Sequence, residues 1–125
     1  MAFHNQPHPP AEPGVLHLSE QTAEAIRQLN HRTRHLDAFT DAAELSWLLA
    51  DLAATARRLP QLLDQLRTWL HHERDNDRLR ADTDTHSADL VALADAELTG
   101  AGHRAQQLAA ALEAAHQHAA HLATA

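Results

Sequence analysis

One heptad pattern constrains this chain more than any other feature. Leu45, Leu49, Leu52, Ala56, Leu59, Leu63, Leu66 and Leu70 recur at alternating intervals of four and three residues. That spacing keeps a row of side chains on one side of an α-helix and marks a coiled-coil seam. Asp41 and Glu44 stand three apart just before it, a pattern that caps a helix start. Pro60 falls inside the run, where it removes a backbone donor and crowds the carbonyl four residues back. The seam crosses Pro60 without slipping a residue, so the expectation is one helix over 41–73, kinked near Pro60. The competing arrangement is a break at Leu59, with Pro60 opening a new helix.

A second seam follows a polar stretch. Charges take the places after Leu70 (Glu73, Asp77, Arg80), and 74–85 reads as the turn of a hairpin. Beyond it Val91, Leu98, Ala105, Leu112 and Ala119 repeat every seven residues, interleaved with Ala94, Ala101, Leu108, Ala115 and Leu122. This predicts a helix over about 86–122, capped by Ser87 or Thr85. Gly100 and Gly102 lie off that seam, so its register survives them. Ahead of both, Ser19 and Glu20 suit a helix start, and Ile26, Leu29, Thr33 and Leu36 form a thin stripe, predicting a helix over about 20–37. Residues 1–18 hold Pro7, Pro9, Pro10, Pro13 and Gly14 without periodicity and are expected to form a disordered arm, followed by one helical domain over 19–125.

Composition agrees with helices alone. Of 125 residues, twenty are Leu and twenty-seven Ala, whereas Val occurs twice, Ile once and Tyr not at all; the first two favour helix and the others strand. The expected fold class is therefore all-α: an antiparallel hairpin of two long helices plus a shorter N-terminal helix, a three-helix bundle completed by self-association. The short helix, at 1.5 Å per residue, reaches only about half the length of the hairpin, which is why a second copy is expected to cover the rest. The residues expected to carry self-association are Leu45, Leu49, Leu52, Leu59, Leu63, Leu66 and Leu70. Trp47, Leu48, Leu62 and Trp69 flank the seam and are the candidate partner contacts, since Trp is enriched at the centre of interfaces.

Chemistry is poorly signalled. With no Cys there is no disulfide, thiol nucleophile or Cys-ligated zinc. The glycines, 14, 100 and 102, make no phosphate-binding pattern. His71-His72-Glu73 begins like a zinc-protease motif, but Asn76 stands where the second ligand belongs. Asp75, Asp77, Asp82 and Asp84 lack the Gly and Glu of a calcium loop. Glu113 and His116 match one element of a di-iron bundle without its required repeat. His31 and His35, four apart, share one helix side. No catalytic residue, metal ligand or cofactor is therefore assigned, and no enzyme is expected. The net charge of -7 argues against nucleic acid, although protonating all twelve His would reverse its sign. Arg used to the exclusion of Lys in an Ala-rich chain points to a GC-rich bacterial genome. No signal peptide or membrane-length apolar run is present, which points to the cytoplasm.

The functional expectation is a non-catalytic helical interaction protein, an oligomeric adaptor, scaffold or small regulatory partner acting through its seams. A His-dependent metal or pH sensor is the alternative. A DNA-associated regulator using Arg57, Arg58, Arg32, Arg34 or Arg74, Arg78 and Arg80 is a second.

Overall fold

Gly14 opens the first helix. The computed structural model describes residues 12–125, and the chain divides into two units between Ala38 and Phe39. The proposed arm falls mostly on residues 1–11, outside the described residues; Val15 to Leu18 belong to a helix.

The first unit contains α1, Val15–Arg32. It starts and stops five residues before the expected 20–37. Pro13 and Gly14 precede it, and Gly14 holds the cap position with extended backbone and no side-chain bond. Ser19 is thereby an interior residue rather than a cap. At the other end Thr33 terminates the helix by bonding the Leu29 carbonyl twice, with its N–H at 2.9 Å and its hydroxyl at 2.7 Å. The α1 surface is stitched by Glu24, which accepts from Arg27 at 2.6 and 2.8 Å and from Gln28 at 3.2 Å. Those bonds hold the Glu24 carboxyl down to about 2. None of the α1 residues is buried.

The second unit is a hairpin of α2, Ala42–Asp75, and α3, Ser87–Ala119. The Asp41 carboxylate accepts from the Glu44 N–H at 3.1 Å, as the D-x-x-E spacing predicts. A further first-turn donor, the Ala42 N–H, bonds the Thr124 hydroxyl at 2.8 Å, tying the chain's last residues to the start of α2. The helix runs through Pro60 without a break. It ends in a two-bond cap: Arg78 N–H to the Glu73 carbonyl at 3.0 Å and Asp77 N–H to the Arg74 carbonyl at 3.1 Å. Asp77 adopts φ 52°, the left-handed conformation that this cap demands.

Helix α3 spans both Gly100 and Gly102. His86 occupies its cap position with no side-chain bond, so neither Thr85 nor Ser87 caps it as expected. The two long helices pack against each other, and the fold class is all-α, with no strand among the described residues. Within this range no helix is long and apolar enough to cross a membrane.

Candidate interaction surface

What α2 and α3 bury against each other is small. The buried side chains are Ser46, Ala53 and Ala56 on α2 and Val91, Ala105, Ala109 and Ala119 on α3. The side of α2 turned to α3 is thus centred on two heptad rows, Ser46-Ala53-Pro60-Arg67 and Leu49-Ala56-Leu63-Leu70. The second row was part of the expected seam. The first lies one residue beyond Leu45, Leu52, Leu59 and Leu66, about 100° around the helix. The contact face is rotated away from the Leu45-Leu52-Leu59-Leu66 row, because Ala and Ser let the two backbones come closer than Leu against Leu would.

Two polar layers fix the register. Near the open end His116 Nδ1 lies 2.9 Å from the Ser46 carbonyl, to which it donates, and 3.2 Å from the Ser46 hydroxyl. Near the turn Arg67 donates to Asp95 through Nε at 2.8 Å and Nη2 at 3.5 Å, and His71 Nε2 lies 2.8 Å from the same carboxylate. The Arg67 hydrogen bond, aided by charge from Arg67 and His71, holds the Asp95 carboxyl below its ordinary range, and Asp95 raises Arg67 in turn. Both pairs span three heptads on each helix, from Ser46 to Arg67 and from Asp95 to His116. Between them Ala53 stands level with Ala109 and Pro60 with Gly102. The last layer has little side chain to fill it and leaves a recess of about 230 Å³ lined by Pro60, Leu63, Arg67, Leu98, Gly102 and Gln106.

The edges of the hairpin differ sharply. Arg57 donates to Glu113 at 3.3 Å across one edge, which places Arg57, Asp64 and His71 on the same side as Thr99, Gln106 and Glu113. The other edge must then carry Leu45, Leu52, Leu59 and Leu66 from α2 and Ala94, Ala101, Leu108 and Ala115 from α3. Just outside the α2 row stand Leu48, Thr55, Leu62 and Trp69, seven apart. The result is one apolar face in which Leu66 is 43% exposed, Leu62 48%, Leu108 50% and Trp69 56%.

The residues singled out from sequence therefore separate into three groups. Leu49, Leu63 and Leu70 turn to α3. Leu45, Leu52, Leu59 and Leu66 share the open face with Leu48, Leu62 and Trp69. Trp47, 65% exposed, sits about 100° around α2 from Leu48 and does not join that face. Sequence reasoning missed the polar layers of Ser46, Arg67, His71, Asp95 and His116, because charged and His residues at helical spacing read as solvated. Their signal was the matching three-heptad spacing of Ser46 with Arg67 and of Asp95 with His116.

Other chemistry candidates are engaged locally. Glu113 and His116, the lone di-iron element, point to different partners, Arg57 and Ser46. Arg74 pairs with Asp75 and Arg78 with Glu73. On α1 the rings of His31 and His35 stand perpendicular, 6.4 Å apart, and Arg34 donates to His31 Nδ1 at 3.1 Å. Among the described residues no three His, Asp or Glu side chains gather as a metal site. No protein-family model matches the chain, and neither a curated protein nor a solved structure matches it.

Proposed function

We propose that the protein is a non-catalytic helical interaction protein, an oligomeric adaptor or scaffold whose working surface is the leucine face of the α2–α3 hairpin. One observation carries this reading. Leu45, Leu48, Leu52, Leu59, Leu62, Leu66 and Trp69 form an unbroken stripe but for Thr55; the first four are half-buried at the rim of the α2–α3 contact, and Leu62, Leu66 and Trp69 are exposed. A contiguous apolar surface of this kind marks a place where another protein surface packs. The hairpin fits the role mechanically: it buries its own small-residue interface and presents the larger side chains outward on a rigid pair of helices.

The test is light scattering after size exclusion on untagged protein in EDTA at pH 7.5, comparing wild type with the triple variant Leu59→Ser, Leu62→Ser and Leu66→Ser. Wild type should give at least twice the 13.8 kDa chain mass, and the variant a single chain with its helical circular dichroism retained. The reading fails if the two behave alike in mass and also bind an apolar dye equally.

A further inference from the structure

The charges on this hairpin are paired on one edge and left over on the other. On the polar edge Arg57 meets Glu113, and Arg67, in the contact layer beside that edge, meets Asp64 and Asp95. Beside the apolar face stand Arg58, Glu97 and Arg104, all exposed, and among the described residues none of the three has an ion-pair partner. Glu97 and Arg104 lie seven apart on the row of α3 just outside Ala94, Ala101 and Leu108, of opposite sign and facing the same way. Two such rows laid antiparallel satisfy each other: each Glu97 meets the Arg104 of the other copy.

The leucine stripe of α2 has the same property. Laid antiparallel on itself, it sets Leu59 against Leu62 and Leu52 against Trp69, the alternation by which seams interlock. The two-fold point of that arrangement falls between Pro60 and Gln61. For the charges on α3 it falls between Gly100 and Ala101. The cross-hairpin pairs Ser46–His116 and Arg67–Asp95 put Gly100 and Ala101 level with Gln61 and Leu62. The seven-residue repeat of the stripe allows this interlock at two-fold points 3.5 residues apart, and the ionic pair on α3 selects the one near Gln61, which lies within about one residue, or ~1.5 Å, of its own height.

We infer that the occupant of the leucine face is a second copy of this hairpin, related by a two-fold axis near Gln61 and Ala101, with α2 lying antiparallel on the partner's α2 and α3 on the partner's α3. This rests on the interaction-face reading above and adds the partner and its geometry. The other two-fold stacking, α2 over the partner's α3, would bring Arg58 level with Arg104, like charge on like, and would leave Glu97 facing Gln65. The rim therefore selects one stacking and penalises the other. The four-helix product has antiparallel neighbours throughout, the usual geometry of such bundles.

Charge exchange tests the pairing. Glu97→Arg alone and Arg104→Glu alone should each weaken dimerisation by about fivefold to tenfold at low salt, because each dimer loses two contacts of this kind. The double exchange should restore it, and circular dichroism should be unchanged in all three. Mixing Leu59→Cys with Leu62→Cys, each the only Cys in its chain, should give an intermolecular disulfide between the two variants under mild oxidation, while mixing Leu62→Cys with Ala101→Cys should give no mixed cross-linked pair. Charge variants that leave dimerisation untouched, a double exchange that fails to rescue, or a mixed 62–101 cross-link would overturn the inferred stacking. A wild-type chain that stays single yet loses dye binding on serine substitution would overturn it while sparing the interaction-face reading. An oligomer indifferent to those serines would overturn both.

Discussion

Asp77 and Gly102 each sit where another residue would serve the backbone better. Asp77 holds the left-handed position of the cap that ends α2, where glycine avoids the Cβ contact with the carbonyl. Asp77→Gly should raise stability by about 0.5–1 kcal/mol, seen as a higher midpoint in thermal unfolding. Gly102 stands in the interior of α3, where a Cβ would meet nothing within 4 Å. Gly102→Ala should gain about 0.5–1 kcal/mol from helix propensity and fill part of the recess beside Pro60. The Arg67–Asp95–His71 cluster sets an acid limit. Because the folded state holds Asp95 below its ordinary value of 3.8, the stabilisation is complete above about pH 4 and is lost as pH falls further. Asp95→Asn should unfold at a lower temperature than wild type at pH 7, and the gap between them should narrow as the pH drops below 3.8. A gap that is constant with pH would mean that Asp95 contributes by packing alone.

At the scale of the element, α2 is the part most fully written in the sequence and also the part most easily misplaced. Its bounds follow from the Asp41 cap and from the charges after Leu70, and its continuity through Pro60 follows from a seam that does not slip. Its orientation does not follow from counting apolar residues. Leucines mark Leu45, Leu52, Leu59 and Leu66 as the inner row, yet α3 takes the neighbouring row of Ser46, Ala53, Pro60 and Arg67. Small size wins there over hydrophobicity, and the complementary polar residues at the ends of that row, Ser46 to His116 and Arg67 to Asp95, can be recognised only once both helices are laid side by side. Helix α1 departs from its expected bounds for a simpler reason. Ser19 is a good cap residue, but Pro13-Gly14 starts the helix earlier, and Thr33 closes it at Leu29 before Leu36 is reached. Pro60 itself gives the element-scale prediction. Pro60→Ala returns an N–H to the Ala56 carbonyl and removes a ring from the contact layer with Gly102, and the expected gain is up to about 3 kcal/mol in denaturant unfolding. A loss of stability would show that the recess beside Pro60 costs more than the restored hydrogen bond returns.

For the whole molecule, small-residue packing and an outward leucine face together have a thermodynamic consequence. A hairpin whose fully buried residues are only Ala, Ser and Val, and whose leucines are at best half-buried, removes a limited apolar area from water, and area is what separates a marginal domain from a stable one. Burying the leucine face in a second hairpin adds the larger side chains: Leu45, Leu52, Leu59, Leu62, Leu66 and Trp69 from each copy. A Leu carried from full exposure to burial contributes about 1.5–3 kcal/mol before the entropy of association is subtracted, and the half-buried Leu45, Leu52 and Leu59 contribute a fraction of that. Folding and association are then linked, and stability must depend on how much protein is present. The midpoint of thermal unfolding of wild type should rise by several degrees over a hundredfold increase in concentration. Leu62→Asp places a charge beside the two-fold axis without touching the α2–α3 contact, so it should unfold at a lower and concentration-independent midpoint while keeping its helical spectrum in the cold. A wild-type midpoint that ignores concentration would mean that the Ala-lined hairpin is stable by itself, and the leucine face would then have to be matched to a different protein.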